Sequence, residues 1–192
     1  MRTRTPRIEP LGTEGLTPEQ EEYLAPFRKF VNTGVTSTIG HHPRAAIAFK
    51  GWATYTMMEK NKLLEREREV VAIRTAWNIK SGYVWSRHMP YGEKAGLSRE
   101  EMEALKKPIS AHDWSAADIA LINAADALCT DYFVPDDVWA ELTAHFDEEQ
   151  IIDAIFVCGH FVMLGTFLNA TGVQIDPDVI DDPDLHKLEG AA

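Results

Sequence analysis

The segment from Glu69 to His88 holds the side chains best suited to acid/base chemistry in this chain. A carboxylate beside an imidazole can move a proton, because one group orients the other while it accepts or donates. Glu69 precedes two valines in a helical pattern, and burial among apolar residues suits a carboxylate that shuttles protons. Antiparallel packing of two helices would bring Glu69 towards His88. The pattern also allows a solvated Glu69 in a run of charges and a structural histidine.

The helix predicted after position 80 carries further candidates. Ser81, Trp85 and His88 are spaced i, i+4, i+7, which predicts that they share one helix face. Ser81 and His88 then lie about 10 Å apart along the axis, too far for a direct hydrogen bond. Ser81 is a candidate catalytic residue only through a bridging water or substrate. Tyr83 is a candidate hydrogen-bond partner of a substrate oxygen, and Trp85 a candidate apolar wall.

Four other residues carry side chains that bind anions or metals. Arg74 lies on the helix of Glu69 and could hold a carboxylate through two hydrogen bonds, although a surface arginine fits the pattern too. His160 lies in the most apolar segment, where it is either a satisfied core or interface residue or a substrate contact. His41 and His42 are adjacent, so their rings point apart, and no third ligand is evident. We therefore predict no metal and no cofactor.

Helix start and stop signals recur along the whole chain. Thr17, Ser98 and Asp147 each begin a capping box, and Gly34 and Gly172 are predicted stops. No alternating apolar run bounded by turn residues is found, so the fold class is all-α. A helical domain over 17–175 is predicted between an irregular N-terminal arm (1–16) and an acidic C-terminal tail (176–192). The predicted helices are 18–33, 43–59, 65–80, 82–95, 98–106, 115–132, 135–146 and 148–170.

Composition excludes several classes of function. The chain has 192 residues, 45% of them hydrophobic, and a net charge of −11, which disfavours nucleic acid as a partner. The apolar segment 151–170 contains polar residues and is predicted as a core helix, so no membrane partner is expected. The N-terminus lacks the apolar run of a signal peptide. Cys129 and Cys158 are interpreted as buried thiols of a cytoplasmic protein, and a redox pair finds no support in the sequence.

Several motifs occur in an order that resembles the carboxymuconolactone decarboxylase/AhpD-like family. The resemblance spans about residues 40–175 and implies an all-α AhpD-like helical bundle. It also implies homo-oligomers, trimers or hexamers, with sites near the motif helix and the subunit contacts. The motifs are His42-Pro43, Arg68-Glu69, the segment SGYVWSRH at 81–88, AGLS at 95–98 and GHFVMLGTFLNATGV at 159–173.

The chain departs from the peroxidase branch of that family at the thiol positions. That branch has two cysteines three residues apart on the motif helix, where this chain has Ser81 and Val84. Serine is a poor redox nucleophile and valine cannot form a disulfide, so thiol peroxidase activity is disfavoured. Glu69 and His88 match the family's carboxylate and imidazole. The chain thus resembles a Trp-containing branch without the cysteine pair.

The resulting functional expectation is a carboxymuconolactone decarboxylase-like lyase. Glu69 and His88 would transfer a proton on a small organic acid or lactone, as in the breakdown of aromatic compounds. One alternative is a peroxide-defence protein of the AhpD type with an altered thiol site. Another is a non-catalytic oligomeric binding protein that keeps the pocket.

Overall fold

The computed structural model describes residues 3–27, 34–58, 61–177, 179 and 181–186, and within these ranges it contains helices and no strand. The all-α prediction is confirmed. Two 3₁₀ turns, Ala25–Phe27 and Ile109–Ala111, separate some of the helices. The ten α-helices of the described residues are α1 (Pro18–Leu24), α2 (Gly34–Ile39), α3 (Pro43–Met57), α4 (Glu65–Asn78), α5 (Gly82–Lys94), α6 (Arg99–Ala104), α7 (Ala116–Thr130), α8 (Asp136–His145), α9 (Glu148–Thr171) and α10 (Pro183–His186).

The predicted capping boxes account for three helix starts. Thr17, Ser98 and Asp147 each accept from the backbone N–H three residues later, and the Glu or Gln there accepts from the cap's own N–H. These contacts satisfy N–H groups that a helix start leaves without partners. Gly172 has a φ of 72° and ends α9 in the left-handed conformation.

The N-terminal part differs from the sequence prediction. The helix predicted over 18–33 ends at Leu24, and residues 28–33 lie outside the described ranges. Gly34 was predicted as a helix stop, but it begins α2. A Cβ at Gly34 would lie 2.8 Å from Cγ1 of Val173, so this glycine permits a close approach between two segments. The acidic tail, predicted to be irregular, contains the short helix α10.

Helix α4 lies at the centre of the fold. Nine consecutive residues, Arg68 to Ala76, are buried, because α5, α7 and α9 pack around it. An ordinary surface helix buries only one stripe, so burial on every side marks a core helix. Side chains of α4 are therefore held in place by three neighbouring helices.

A tight reversal joins α4 to α5. Lys80 has a φ of 58°, and its N–H donates to the carbonyl of Trp77 at 3.1 Å. The N–H of Ser81 donates to the carbonyl of Ala76 at 2.9 Å. These two bonds close the end of α4 in the manner of a left-handed helix cap. The chain then returns as α5, antiparallel to α4, so that residues at similar distances from the turn come close to each other.

Helix α9 is the one helix of the described residues that is long and apolar enough to cross a membrane. Half of its most apolar window is buried inside the protein. Asp153 on this helix is buried and accepts from the Tyr55 hydroxyl at 2.6 Å and from the N–H of Lys62 at 2.5 Å. A carboxylate with protein partners on two other segments is the mark of a core helix.

Candidate active site

Glu69 and His88 form a buried pair between α4 and α5. Oε2 of Glu69 lies 2.7 Å from Nδ1 of His88. The side chains are 8% and 10% exposed, which shields their interaction from solvent. The antiparallel helix pair makes the contact, since Glu69 lies 11 residues before Lys80 and His88 lies 8 residues after it. The prediction that the two side chains come within reach of each other is confirmed.

The contact defines the tautomer of His88. An ionised carboxylate can only accept a hydrogen bond, so Nδ1–H of the imidazole is the donor. The lone pair of a neutral ring is then on Nε2, which becomes the atom that can take or give a proton. Glu69 orients the ring and stabilises the imidazolium once it forms, as carboxylates do behind catalytic histidines.

Aromatic neighbours hold the His88 ring in position. The ring of Phe161 on α9 meets it edge-on, with centroids 4.6 Å apart and an interplanar angle of 81°. The ring of Tyr91, one turn further along α5, lies 5.6 Å away at 67°. Edge-to-face pairs of this kind are favourable and restrict rotation. The imidazole is thus fixed by a carboxylate and by rings on two helices.

The pair opens into a cavity of about 410 Å³. This volume falls in the range of sites for small molecules, about 300–1,000 Å³. Four charged side chains lie around it besides His88, two cationic and two anionic, together with apolar groups from the end of α3. The lining residues are Met57, Met58, Glu65, Arg68, Glu69, His88, Tyr91, Lys94 and Ala95.

Arg68 is the cation closest in sequence to the pair. Its side chain is buried, and one NH1 hydrogen donates to the carbonyl of Leu63 at 3.0 Å. Its Nε is buried and has no hydrogen-bond partner among the described residues. A guanidinium on the wall of a cavity is suited to hold a carboxylate. Lys94 is exposed at the same cavity and adds a second positive charge.

His160 approaches the pair from α9. It is 2% exposed and stacks on Phe49 with ring centroids 5.5 Å apart. Burial lowers its pKa to about 4, and the nearby His88 adds to this effect. His160 is therefore neutral at pH 7 and its Nδ1 has no partner among the described residues. It is not one of the residues that line the cavity of the pair.

Arg74, predicted to hold a substrate carboxylate, has other partners. Its Nε and NH2 donate to the two carboxylate oxygens of Asp126 at 2.6 and 2.7 Å. Its NH1 donates to the carbonyls of Leu105 and Lys107 at 2.6 and 2.8 Å. These contacts join α4 to α7 and to the segment after α6. Four N–H donors of Arg74 are thus used within the protein. Arg74 does not line the cavity, whereas Arg68 does.

Ser81 lies against α9 and does not line the cavity. It is fully buried at the cap position of α5, and its Oγ has no partner among the described residues. A Cβ on Gly165 would lie 3.2 Å from the Cβ of Ser81, which locates the residue at the α5–α9 contact. Two helical turns separate it from His88, as the spacing predicted. The structure does not bring Ser81 to the Glu69–His88 cavity.

Tyr83 and Trp85 also point to other parts of the molecule. The Tyr83 hydroxyl donates to Asp176, which Arg87 contacts at 3.3 Å, so Tyr83 anchors the segment after α9. The Trp85 ring is buried against Trp77, with centroids 6.2 Å apart. Although Trp85 is one turn from His88 on α5, its ring packs on Trp77 of α4 and does not line the cavity.

The adjacent histidines near α3 have local partners. Nδ1 of His42 accepts from the N–H of Ala45 at 3.4 Å and caps the start of α3. Nε2 of His41 lies 2.9 Å from the carbonyl oxygen of Glu9 in the N-terminal arm. Both rings are thus used in joining segments of the chain.

Tyr91 and Arg68 line the cavity but were not among the predicted site residues, although the sequence contains a signal for each. Tyr91 is three residues after His88, and i, i+3 neighbours share a helix face. Arg68 directly precedes Glu69 in the motif and was treated only as part of it. The role of Met57 depends on the position of the end of α3 in the fold, which no local sequence pattern predicts.

No model of a protein family and no curated protein matches the sequence. Solved structures do match. A protein from Ralstonia eutropha JMP134, described as an alkylhydroperoxidase AhpD core and an uncharacterized peroxidase-related protein, has a TM-score of 0.72 and 18% identity over 83% of this chain and 86% of its own. An uncharacterized peroxidase-related protein from Silicibacter sp. TM1040 has a TM-score of 0.73 and 16% identity over 97% and 98%.

A third similar structure is that of an enzyme with a named reaction. The debrominase Bmp8, solved in complex with 2,3,4-tribromopyrrole, has a TM-score of 0.70 and 19% identity, covering 91% of this chain and 94% of its own. At these identities the similarity establishes the fold. The described part of the chain therefore adopts the AhpD-like fold that its motifs predicted.

Proposed function

We propose that the chain is an enzyme that transfers a proton on a small organic acid or lactone, in the manner of a carboxymuconolactone decarboxylase-like lyase. The observation that carries the proposal is the 2.7 Å contact between Glu69 and His88 at a cavity. A buried carboxylate–imidazole pair with a ring nitrogen left for a substrate is the arrangement that general acid/base catalysis uses.

Each wall of the cavity has a part in this reaction. Loss of carbon dioxide from a γ-lactone acid leaves a dienolate, which needs a proton at carbon. His88 first takes a proton from solvent at Nε2, then donates that proton to the carbon and returns to the neutral ring, while Glu69 holds the ring and balances its charge. Arg68 and Lys94 supply the positive charge that would hold a substrate carboxylate. Met57 provides an apolar surface for the carbon skeleton.

We also propose that the protein forms a homo-oligomer, a trimer or hexamer by the family resemblance. An apolar groove of about 660 Å³ runs between α3 and α9. On α9, Ile152, Phe156 and Met163 are 49%, 40% and 49% exposed. Apolar surface of this extent is typical of contacts between protein chains. The residues that line the groove are Ile39, Ala45, Ala48, Phe49, Trp52, Met163, Leu164 and Phe167.

A peroxide-defence protein with an altered thiol site is the second candidate. The names of two similar structures favour it. The chemistry at the motif helix opposes it, because Ser81 and Val84 stand at the cysteine positions. The two cysteines of the chain, Cys129 and Cys158, lie on α7 and α9 and do not line the Glu69–His88 cavity. As free thiols they fit the reducing cytoplasm that we propose as the compartment.

A substrate screen tests the proposed reaction. γ-Lactone acids, β-keto acids and dienoic acids are incubated with the protein in deuterated water, and solvent proton exchange and carbon dioxide release are followed. His88→Gln should reduce turnover by about 100-fold or more, the range that positioned acid/base groups contribute. His145→Gln is the matched control, because His145 is exposed at the end of α8. Equal turnover of both variants would remove His88 from the mechanism.

Two further variants separate the roles within the cavity. Glu69→Gln should reduce turnover as His88→Gln does, and the double variant should fall little further, since the pair acts as a unit. Arg68→Met should raise KM far more than it lowers kcat, because it removes a contact to the substrate carboxylate. An unchanged KM would assign the carboxylate contact elsewhere. Absence of turnover across the whole screen would favour the binding-protein alternative.

A further inference from the structure

Cys129 on α7 and Cys158 on α9 lie side by side. Neither residue lines the cavity of the Glu69–His88 pair. Their sulfur atoms are 3.9 Å apart, although 29 positions separate them along the chain. Cys129 is near the end of α7, and Cys158 is in the first half of α9. Both are free thiols. The fold thus brings together the two sulfurs that the sequence showed as unrelated.

The surroundings of the two thiols favour reaction. The hydroxyl of Thr75, fully buried on α4, donates to the sulfur of Cys158 at 3.5 Å. The contact between the thiols, together with this hydroxyl, lowers the pKa of Cys158, while the same contact and burial raise that of Cys129. One proton therefore leaves the pair readily and the second is held between the sulfurs.

Access to the pair is one-sided. Cys158 is 1% exposed, whereas Cys129 is only half-buried. Cys129 is therefore the cysteine of the pair that lies nearer to solvent. Asp126, one turn before Cys129, is held by Arg74 in a two-point ion pair, which limits the effect of its negative charge on the thiolate.

We propose that Cys129 and Cys158 form an oxidisable dithiol that a peroxide converts to an intramolecular disulfide between α7 and α9. Once the pair has lost one proton, the remaining proton moves from Cys129 to the sulfur of Cys158, 3.9 Å away, which leaves a thiolate at the less buried cysteine. This Cys129 thiolate attacks one peroxide oxygen, so that an S–O bond forms and the O–O bond breaks. The departing oxygen takes a proton and leaves as water or an alcohol. The sulfur of Cys158 then attacks the sulfenic acid at Cys129, so that the S–S bond forms and the oxygen leaves as water.

The reaction is stoichiometric and separate from the proposed lyase activity. Two thiols lose two electrons and one peroxide gains them, so each chain consumes one peroxide unless a reductant restores the thiols. The disulfide closes a loop that contains α8. Loop closure of this length restricts the unfolded chain, and the melting temperature should rise by about 5–10 °C.

The test uses the full reduced protein and hydrogen peroxide. Thiols are counted with a chromogenic reagent under denaturing conditions, and intact mass and peptide mass follow the products. We expect consumption of one peroxide per chain, loss of both thiols, a mass lower by two hydrogens and a peptide that joins positions 129 and 158. Cys158→Ser should instead accumulate a sulfenic acid at Cys129, which a carbon nucleophile such as dimedone traps.

A hydroxyl variant checks the chemistry without touching either sulfur. Thr75→Val keeps the shape of the side chain and should slow disulfide formation several-fold. Thr143→Val, an exposed threonine on α8 that bonds only backbone carbonyls, is the control and should leave the rate unchanged. Two thiols retained after peroxide treatment would overturn the proposal. So would oxidation that ends in sulfinic acid or in disulfides between chains.

Discussion

Replacement of Arg74 by Met tests whether this arginine is structural. The variant keeps the length of the side chain but removes four hydrogen bonds, two to Asp126 and two to the carbonyls of Leu105 and Lys107. The Arg74 side chain is 10% exposed, so Asp126 would be left with an uncompensated charge beside the core.

The expected cost follows from the burial of the two partners. Breaking a buried ion pair by removing one member costs about 3–5 kcal/mol. Asp126 is 37% exposed and keeps a hydrogen bond from Asn78 at 2.7 Å, which favours the lower end, about 3 kcal/mol. For a domain of this size that loss lowers the melting temperature by about 6–12 °C.

Urea unfolding followed by far-ultraviolet circular dichroism measures this cost. Arg99→Met is the matched control: Arg99 is 66% exposed, lies 3.7 Å from Glu103, and should change the free energy of unfolding by less than about 1 kcal/mol. At low urea, where Arg74→Met is folded, its KM for the lyase substrate should equal that of wild type. A stability change below about 1 kcal/mol, or a raised KM, would return Arg74 to the substrate site.

Further predictions concern helix α9. His160 has a pKa of about 4 in the fold against an ordinary 6.5, so the unfolded chain binds a proton between these values that the folded chain excludes. The free energy of unfolding of wild type should therefore fall by about 3 kcal/mol from this group as pH falls from 6.5 to 4. His160→Phe should lack this contribution, which is measured as the difference between urea unfolding curves at pH 6.5 and pH 4. An unchanged difference would show that His160 titrates normally. Gly165→Ala should destabilise by about 1–3 kcal/mol, since its Cβ would lie 2.3 Å from Cδ1 of Ile79. Gly159→Ala, with nothing within 4 Å, should stabilise by about 0.5–1 kcal/mol, and equal effects of the two changes in thermal melts would contradict the packing.

The helices could be predicted because their signals are local. A capping box lies within four residues, and an apolar period lies within one helix, so Thr17, Ser98 and Asp147 marked three starts correctly. Gly34 misled the prediction, because its reason is a contact with Val173, which lies far along the chain. Glycine signals a helix end or a close approach equally well.

The part of the site that depends on local spacing could be predicted from the sequence. Glu69 and His88 flank one tight turn, so their distance from that turn was enough to predict their contact. Helix spacing predicted Trp85 on the face of His88, and Tyr83 was expected as a hydrogen-bond partner of the substrate, but the contacts of both side chains depend on neighbouring segments. The Tyr83 hydroxyl donates to Asp176, and the Trp85 ring packs on Trp77.

By itself the sequence determined the all-α class, most helix bounds and the carboxylate–imidazole pair, since capping, period and hairpin spacing act within a few turns. Only the tertiary structure decided which arginine faces the cavity and that two distant thiols touch. Arg68 and Arg74 are alike as side chains on one helix, and Asp126, contributed by α7, makes the difference between them. Cys129 and Cys158 meet because α7 and α9 pack around α4, and helix packing is a property of the whole core.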